Sequence, residues 1–475
     1  MSDYDESIFS LKKNHSLYRD FRNLSVVYCK DAFPKNMKQP ILRATLILCR
    51  LRIPTFLFVL SCAACLPVGA ESPTAVEPAE QAHAEIWRRF IDKYDVMLDF
   101  TNLDGSIDLP TPEECRAGKP NALGWWSPIE NGAMFGGSYL EMTVNRWEHT
   151  KSDADATNAR RLMKGLLLLN SVSTVPGFVG RGVSTDGRSH FAMGSDDQTF
   201  PWFLGLWRFH QSDLATDKER DRIRQRFETT TAALLKNIWR IPAEAPFGTR
   251  GSYLGYEFDD TARKLFILRA MHVVTGNSDW EKRYGKALSE RGGKEKLSRL
   301  EIAERGMRYW YSERHNWTSA SSVGGLRGLW EMEDDPKVKA AFARGLSASA
   351  ELAAKSLDLA LKYDPTETAA FDPDWRSAML PYWREQATQK DAQQVASQQL
   401  RAFRKASPQR DRETAFVREP APAAWIVTLC PDPKVVRPHI PAIKRVIGRY
   451  DYSRLYYSTF FWVEGAWWRL KDQAK

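Results

Sequence analysis

A glycine-rich segment between Pro176 and Trp207 concentrates side chains that could bind a ligand or transfer protons. Five glycines lie in its first two thirds, and glycines let a backbone turn tightly and approach a ligand closely. The polar and charged members of the segment are Arg181, Asp186, Arg188, His190, Asp196, Asp197 and Gln198. We therefore expect this segment to form the rim of a binding site.

Acidic residues precede several apolar stretches that are predicted to be helices. They are Glu130, the pair Asp196 and Asp197, and the pair Asp259 and Asp260. Glycoside hydrolysis needs a general acid and a base or nucleophile, usually two carboxylates with separated pKa values that face each other across the sugar. The competing explanation is helix capping, because Asp is a preferred N-cap residue.

Elimination is a second reaction that the same segment could support. A polysaccharide lyase needs a base beside a uronate carboxylate, and cationic or amide groups that neutralise that carboxylate. His190 could be the base, with Arg181, Arg188 and Gln198 around the carboxylate. Tyr253 and Tyr256, near Asp259, could instead supply such a set. The alternative for His190 is a solvated or hydrogen-bonded loop histidine.

Aromatic residues add a binding function, because indole rings stack on the apolar faces of sugars. All 17 tryptophans lie after residue 70, and most of them are expected in the core. Trp125, Trp126 and Trp317 are predicted to lie near a ligand, with Asn131 and His315 as further substrate contacts. The alternative for His315 is an interaction with the last carbonyl groups of a helix.

Metal and cofactor motifs are missing from the sequence. After residue 70 it contains no CxxC, HxxxH or HExxH pattern, no Walker motif, no GxGxxG after a strand and no GxSxG. The segment Asp104–Asp108 lacks the spacing of a calcium loop and is predicted to be a turn. The sequence therefore predicts neither a metal nor a cofactor.

The beginning of the chain predicts export. Ile53–Ala70 is uncharged, follows several arginines and ends in the small-residue pattern that signal peptidase cuts. We predict an untranslated or disordered extension at 1–36, a signal peptide at 37–70, a linker at 71–80 and one domain at 81–475. A membrane anchor and a lipoprotein modified at Cys62 are the alternatives, and each places the domain in the periplasm or outside the cell.

Charge and cysteine content restrict the partners further. Residues 1–70 hold ten of the 68 Lys and Arg and five of the 59 Asp and Glu, so cleavage lowers the net charge from +9 to +4. No long basic run remains, which argues against nucleic acid. We expect a carbohydrate partner, and membrane contact only through the export signal or a lipid anchor. Cys115 and Cys430 could form one disulfide or remain two buried thiols.

Apolar residues recur at three- and four-residue spacing over most of the mature chain, whereas period-two alternation is scarce. The spacing predicts about a dozen helices, among them Ala84–Phe100, Met134–Trp147, Ala156–Leu169, Phe200–Phe209, Ile223–Trp239, Ala262–Val274, Val338–Tyr363, Ala392–Phe403 and Leu455–Leu470. One class of helix is charged and amphipathic. The other is rich in glycine and aromatics, which is typical of buried helices. Its members are Asn131–Leu140, Thr199–Trp207, Ser321–Trp330 and Ser458–Trp468.

The alternation of these two classes resembles the six-hairpin, (α/α)6-barrel carbohydrate-active enzymes, a superfamily of glycoside hydrolases and polysaccharide lyases. The resemblance covers residues 82–470 and rests on helix starts such as Ile129–Gly132, Gly194–Gln198 and Phe258–Asp260. It implies an all-α (α/α)6 toroid with substrate bound where the inner helices begin. The implied activity is hydrolysis of an oligo- or polysaccharide by carboxylates. A lyase at the same cleft and a non-catalytic glycan-binding or scaffold protein are the alternatives.

Overall fold

Helices form almost the whole of the fold, with 63% helix and 4% strand. The computed structural model describes residues 77–308 and 316–472, which belong to one compact unit beginning at Glu77. The first nine helices are α1 (Pro78–Glu85), α2 (Pro112–Arg116), α3 (Gly132–Thr150), α4 (Asp153–Leu169), α5 (Asp196–Gln211), α6 (Asp217–Lys236), α7 (Phe258–Thr275), α8 (Ser278–Ser289) and α9 (Arg299–Arg305). The all-α prediction is confirmed.

The second half of the described chain continues in the same way. Its helices are α10 (Asn316–Met332), α11 (Pro336–Ala354), α12 (Trp375–Met379), α13 (Gln389–Ala406), α14 (Gln409–Phe416), α15 (Pro420–Thr428), α16 (Pro433–Val436), α17 (Ile440–Ile447) and α18 (Trp462–Asp472). The strands of the described residues form two short antiparallel ribbons. They are β1 (Arg240–Pro242) with β2 (Thr249–Ser252), and β3 (Arg291–Gly292) with β4 (Leu297–Ser298).

The predicted helix Ala84–Phe100 is wrong in its second half. Helix α1 continues through a π-helical turn, Ile86–Phe90, and then the chain turns and becomes extended. The carboxylate of Asp92 causes this turn, because its Oδ1 accepts hydrogen bonds from the backbone N–H groups of Tyr94 and Val96. Such local bonds compete with helical ones. The extended segment that follows carries Asp99.

The two predicted classes of helix differ in burial. In α5 every residue from Gln198 to Trp207 is buried, whereas the charged helix α6 buries only one stripe that includes Ile223 and Phe227. The buried helices pack on one another: α3 on α5 and α18, α7 on α10, and α15 on α10 and α18. The amphipathic helices pack outside them, for example α4 on α3 and α6 on α5. Helices α7 and α15 are buried in the same way, although the glycine and aromatic pattern did not select them.

The contact between α3 and α5 is made by backbone rather than by side chains. A Cβ atom on Gly137 would lie 2.1 Å from the carbonyl oxygen of Pro201, and one on Gly205 would lie 2.3 Å from the carbonyl oxygen of Gly137. Both distances are far shorter than a carbon–oxygen contact allows. Only glycine therefore permits this spacing, and the two helices lie as close as their backbones can approach.

A buried network of charged groups fastens α1 to the core. His83 contacts Glu464 at 2.9 Å, and the hydroxyl of Tyr139 donates to the other oxygen of Glu464 at 2.7 Å. Arg146 donates two hydrogen bonds to Glu80, at 2.9 and 2.8 Å. The predicted linker at 71–80 therefore ends in structure, because its last three residues begin α1.

Cys115 and Cys430 are both buried and are not joined to each other, so the predicted alternative of a disulfide between them is not formed. In the described part of the chain, no helix combines the length and the apolarity that a membrane crossing requires. The extension at 1–36 and the signal peptide at 37–70 lie outside the described residues. Export therefore stays a prediction from the sequence.

The glycine contact between α3 and α5 gives a test of this packing. We expect Gly137→Ala to lower the free energy of unfolding by roughly 1–3 kcal/mol, because the new methyl group must push α5 away. The matched control is Gly285→Ala in α8, where an added Cβ meets no atom within 4 Å. That change should be neutral or stabilise the protein by up to about 1 kcal/mol. Equal effects of the two substitutions in urea unfolding would contradict the packing.

Candidate functional site

A cavity opens to solvent where α3 begins. Two carboxylates, two arginines and a tyrosine contribute to its wall, together with apolar groups. The lining residues are Asp99, Phe100, Trp126, Glu130, Asn131, Phe135, Phe403, Arg410, Thr414, Arg418, Tyr457 and Thr459. They come from segments that are far apart in the sequence, so the fold assembles this site.

Asp99 is held in the wall by its own backbone. Its N–H donates to the carbonyl of Pro128 at 2.9 Å, and its carbonyl accepts from the N–H of Ser458 at 3.0 Å. The next residue, Phe100, forms an isolated antiparallel bridge with Tyr457. The extended segment after α1 is therefore pinned between the loop before α3 and the chain before α18. Asp99 is buried, with 6% of its surface exposed.

The charge of Glu130 acts on the buried carboxyl group of Asp99. Burial is the main reason why the pKa of Asp99 is raised well above its usual range, and the charge of Glu130 raises it further. The N–H and the Nδ2 of Asn131 donate to the two oxygens of Asp99 at 2.7 and 2.6 Å, which opposes this shift. Asp99 therefore retains a proton over a pH range in which an exposed Asp is ionised.

Two predicted substrate contacts instead position Asp99. The side-chain Nδ2 of Asn131 donates a hydrogen bond to Asp99, and its Oδ1 accepts one from Gln198 at 3.0 Å. The Oε1 of Gln198 accepts from the N–H of Met134 in α3 at 3.0 Å, and Gln198 is fully buried. These bonds link the first turn of α5 to the first turn of α3 and fix the orientation of the Asp99 carboxyl.

Arg181 is likewise buried and connects the glycine-rich segment to the site. It donates to the carbonyl of Glu130 at 3.0 Å and to the hydroxyl of Ser195 at 2.9 Å. Ser195 in turn donates to Asp197. Burial alone would raise the pKa of Asp197, but Arg181 and Ser195 bring that pKa below its ordinary value. Glu130 and Asp197 are thus joined through one arginine.

The remaining acidic candidates surround Arg263. Asp196 contacts Arg263 at 2.7 Å, and Asp259 accepts from Ser319 at 3.2 Å. Burial, followed by the charge of Asp196, raises the pKa of Asp260 to about 7. Neither pair is an N-cap. The caps of α5 and α7 are Ser195 and Glu257, and neither makes a side-chain capping bond.

His190 and Arg188 lie away from the cavity wall. His190 contacts Glu244 at 3.1 Å and the carbonyl of Arg188 at 2.9 Å, and its ring packs 5.2 Å from that of Phe178. Burial lowers the pKa of His190, but its hydrogen bond with Glu244 prevails and the net shift is upward. Arg188 is exposed. His190 is therefore hydrogen-bonded within its own surroundings, to Glu244 and to the backbone of Arg188, and does not line the cavity.

Of the predicted aromatic platforms, Trp126 lines the cavity. Its Nε1 donates to the carbonyl of Ala396 at 2.8 Å, and the guanidinium of Arg410 lies 4.9 Å from the ring centroid. Trp125 and Trp317 also carry arginines over their rings, namely Arg250 and Arg418. His315 lies outside the described residues.

Sequence reasoning missed Asp99, Arg410, Arg418, Tyr457 and Thr459. Three polar atoms of this set are buried and have no hydrogen-bond partner within the described ranges: Arg418 Nε, Tyr457 Oη and Thr459 Oγ1. Buried polar groups are normally paired, so unpaired ones in a cavity wall mark places where a ligand or water binds. A lone carboxylate in the apolar run Val96–Phe100 and an arginine-rich run before α15 were the available signals.

Glu413 positions the tyrosine side of the cavity. It accepts hydrogen bonds from the backbone N–H groups of Tyr456 and Tyr457, both at 3.0 Å, and from Gln409 at 2.9 Å. Burial raises the pKa of Glu413 to about 7. Helix α14 therefore holds the segment that faces Asp99.

No protein-family model, curated protein or solved structure matches the chain. Over residues 77–308 and 316–472, no group of three His, Cys, Asp or Glu side chains has the arrangement of a metal site. The chemistry that the cavity wall offers is proton transfer by a carboxyl pair beside fixed guanidinium groups.

The raised pKa of Asp260 predicts how stability changes with pH. In the folded protein Asp260 has a pKa of about 7, whereas in the unfolded chain its pKa is near 4. The unfolded chain therefore releases this proton more readily, and the carboxyl group of Asp260 reduces the stability of the fold progressively as the pH rises from about 4 to about 7. We expect Asp260→Asn to raise the free energy of unfolding by roughly 1–3 kcal/mol at pH 8. The gain should vanish below about pH 4, where Asp260 is protonated in both the folded and the unfolded protein.

The control for this substitution is Asp213→Asn, which removes the same charge from an exposed position. Its effect should stay within about 0.5 kcal/mol at both pH values. Urea unfolding at pH 4 and pH 8 measures both variants. An Asp260→Asn protein that is less stable than wild type at pH 8 would contradict the account of this carboxyl group.

Proposed function

We propose that the protein is an exported glycoside hydrolase that cleaves an oligo- or polysaccharide with Asp99 and Glu130. One observation carries the proposal: two carboxyl groups share one cavity, and burial together with the charge of Glu130 makes Asp99 retain its proton. Paired carboxyl groups with separated proton affinities are the machinery that glycosidases use. Residues 37–70 support export through their signal-peptide pattern.

In this mechanism Asp99 is the general acid. Its proton passes to the glycosidic oxygen while the bond from that oxygen to the anomeric carbon breaks, and the bonding electrons leave with the alcohol. Glu130 either removes a proton from the attacking water or attacks the anomeric carbon itself, and the two routes give inversion and retention. Asn131 holds Asp99 in place throughout, because it donates to both carboxyl oxygens.

The fold that we propose for this function is the (α/α)6 toroid. Support comes from the pairwise packing of α3 on α5, α7 on α10, α10 on α15, α15 on α18 and α18 on α3, with amphipathic helices outside. The cavity lies beside the start of α3, where a toroid of this kind would have its mouth. The start of α5 would then contribute Asp196 and Asp197 to a neighbouring sugar subsite. Their side chains are 31% and 39% exposed, so both can reach solvent.

Elimination at the same cavity has weaker support. A tyrosine base would have to ionise, but burial raises the pKa of Tyr457 well above its usual value. His190, the other candidate base, is paired with Glu244 outside the cavity wall. Neither group has the lowered proton affinity that abstraction beside a uronate carboxylate requires.

We expect Asp99→Asn and Glu130→Gln each to reduce kcat by roughly 10²–10⁴-fold on the glycan that the wild-type protein cleaves, because each removes one proton-transfer or nucleophilic group. Asp213→Asn is the control and should retain activity, since this aspartate is exposed and does not line the cavity. The measurement is reducing-end release from a panel of neutral and uronate-containing oligosaccharides by residues 71–475.

Three results would argue against this function. Full activity of the Asp99→Asn protein would exclude Asp99 as the acid. A product that absorbs ultraviolet light through a new C4–C5 double bond would identify a lyase. Retained glycan binding without any product, in the wild type and in both variants, would identify a binding or scaffold protein.

A further inference from the structure

Two arginines in the cavity wall have their guanidinium groups over indole rings. The guanidinium of Arg410 lies 4.9 Å from the ring centroid of Trp126, and that of Arg418 lies 3.6 Å from the ring centroid of Trp317. Stacking fixes the plane of a guanidinium and leaves its N–H edge available for bonding in that plane. Such a group is preorganised for a planar, bidentate acceptor, and a carboxylate is the common one.

Arg418 has hydrogen-bonding capacity that the described residues do not use. The charges of Glu130, Asp99 and Glu419 act on it, yet its buried Nε has no hydrogen-bond partner within these residues. Glu419 accepts from the N–H of Asn316 at 3.0 Å. An unpaired buried N–H of a cation is costly, so a ligand oxygen that accepts from it would be bound strongly.

Further unpaired donors lie in the same wall. The buried hydroxyls of Tyr457 and Thr459 have no hydrogen-bond partner among the described residues. Both residues line the cavity together with Arg410, Arg418 and Asp99. Beside the carboxyl groups of Asp99 and Glu130, the wall therefore presents two arginines and two hydroxyl donors around one space. These arginines and hydroxyls are groups suited to an acidic ligand.

We propose that the sugar bound in this cavity carries a carboxylate, so that the substrate is a uronate-containing glycan whose carboxylate is bound by Arg418 with help from Arg410 and Tyr457. This inference rests on the hydrolase function proposed above, but it concerns recognition and can be measured without turnover. A neutral sugar would offer the buried Nε of Arg418 no charged acceptor for a hydrogen bond. A carboxylate matches the geometry of the guanidinium fork.

The test is calorimetric binding to the Glu130→Gln protein, which keeps the arginines and slows cleavage. The probes are oligogalacturonate and oligoglucuronate, each compared with its methyl ester, which has the same rings without the charge. We expect at least one acid to bind roughly ten- to a hundredfold more tightly than its ester. Adding Arg418→Gln should remove that preference and leave the affinity for the ester within about threefold of its starting value.

The matched control is Arg401→Gln, which removes an exposed arginine from α13 and should keep the preference. Arg410→Gln provides a second variant should Arg418→Gln lose the folded circular dichroism spectrum, and it should weaken acid binding in the same direction. Equal binding of acid and ester, or a preference that survives both arginine substitutions, would overturn the inference. Failure of every probe to bind would also overturn it.

The outcomes separate recognition from catalysis. Hydrolysis of neutral glycans at rates that Arg418→Gln leaves unchanged would overturn the uronate inference while the hydrolase function stands. Acid-selective binding that depends on Arg418, without hydrolysis of any glycan by the wild type, would support the binding site while the hydrolase function fails.

Discussion

The approach of α3 and α5 at Gly137 and Gly205 sets the spacing on which the site depends. Backbone meets backbone there, so the first turns of the two helices lie side by side. Gln198 at the start of α5 can then bond to Asn131 at the start of α3, and Asn131 can hold both oxygens of Asp99. A contact between helices thereby fixes the direction of one carboxyl group.

Burial gives that carboxyl group its chemistry. Removing Asp99 from water disfavours its charged form, and the neighbouring charge of Glu130 adds to the effect, so the proton stays on Asp99. The same cause raises the pKa of Asp260 and of Glu413 to about 7. Several buried carboxyl groups thus reduce stability at neutral pH. This cost is common where a fold supports function rather than maximal stability.

Local patterns predicted the helices, because periodicity and glycine or aromatic content reflect which faces are buried. They also located Glu130, which precedes such a helix. They could not locate Asp99, since its segment has helical spacing and the side chain of Asp92 turns the chain instead. The patterns predicted a ligand-binding role for Gln198, although this side chain bonds to α3. They also missed Arg418 in the cavity wall. The position of each side chain depends on contacts between segments that are distant in the sequence.

Infrared difference spectroscopy of the carboxyl C=O band, with Asp99→Asn to assign the signal, tests the central claim most directly. The account predicts that Asp99 titrates well above the value of about 4 that is usual for Asp. It also predicts that the midpoint moves to lower pH in Glu130→Gln, where the neighbouring charge is gone. Titration of Asp99 near pH 4, with the same midpoint in both proteins, would contradict the account.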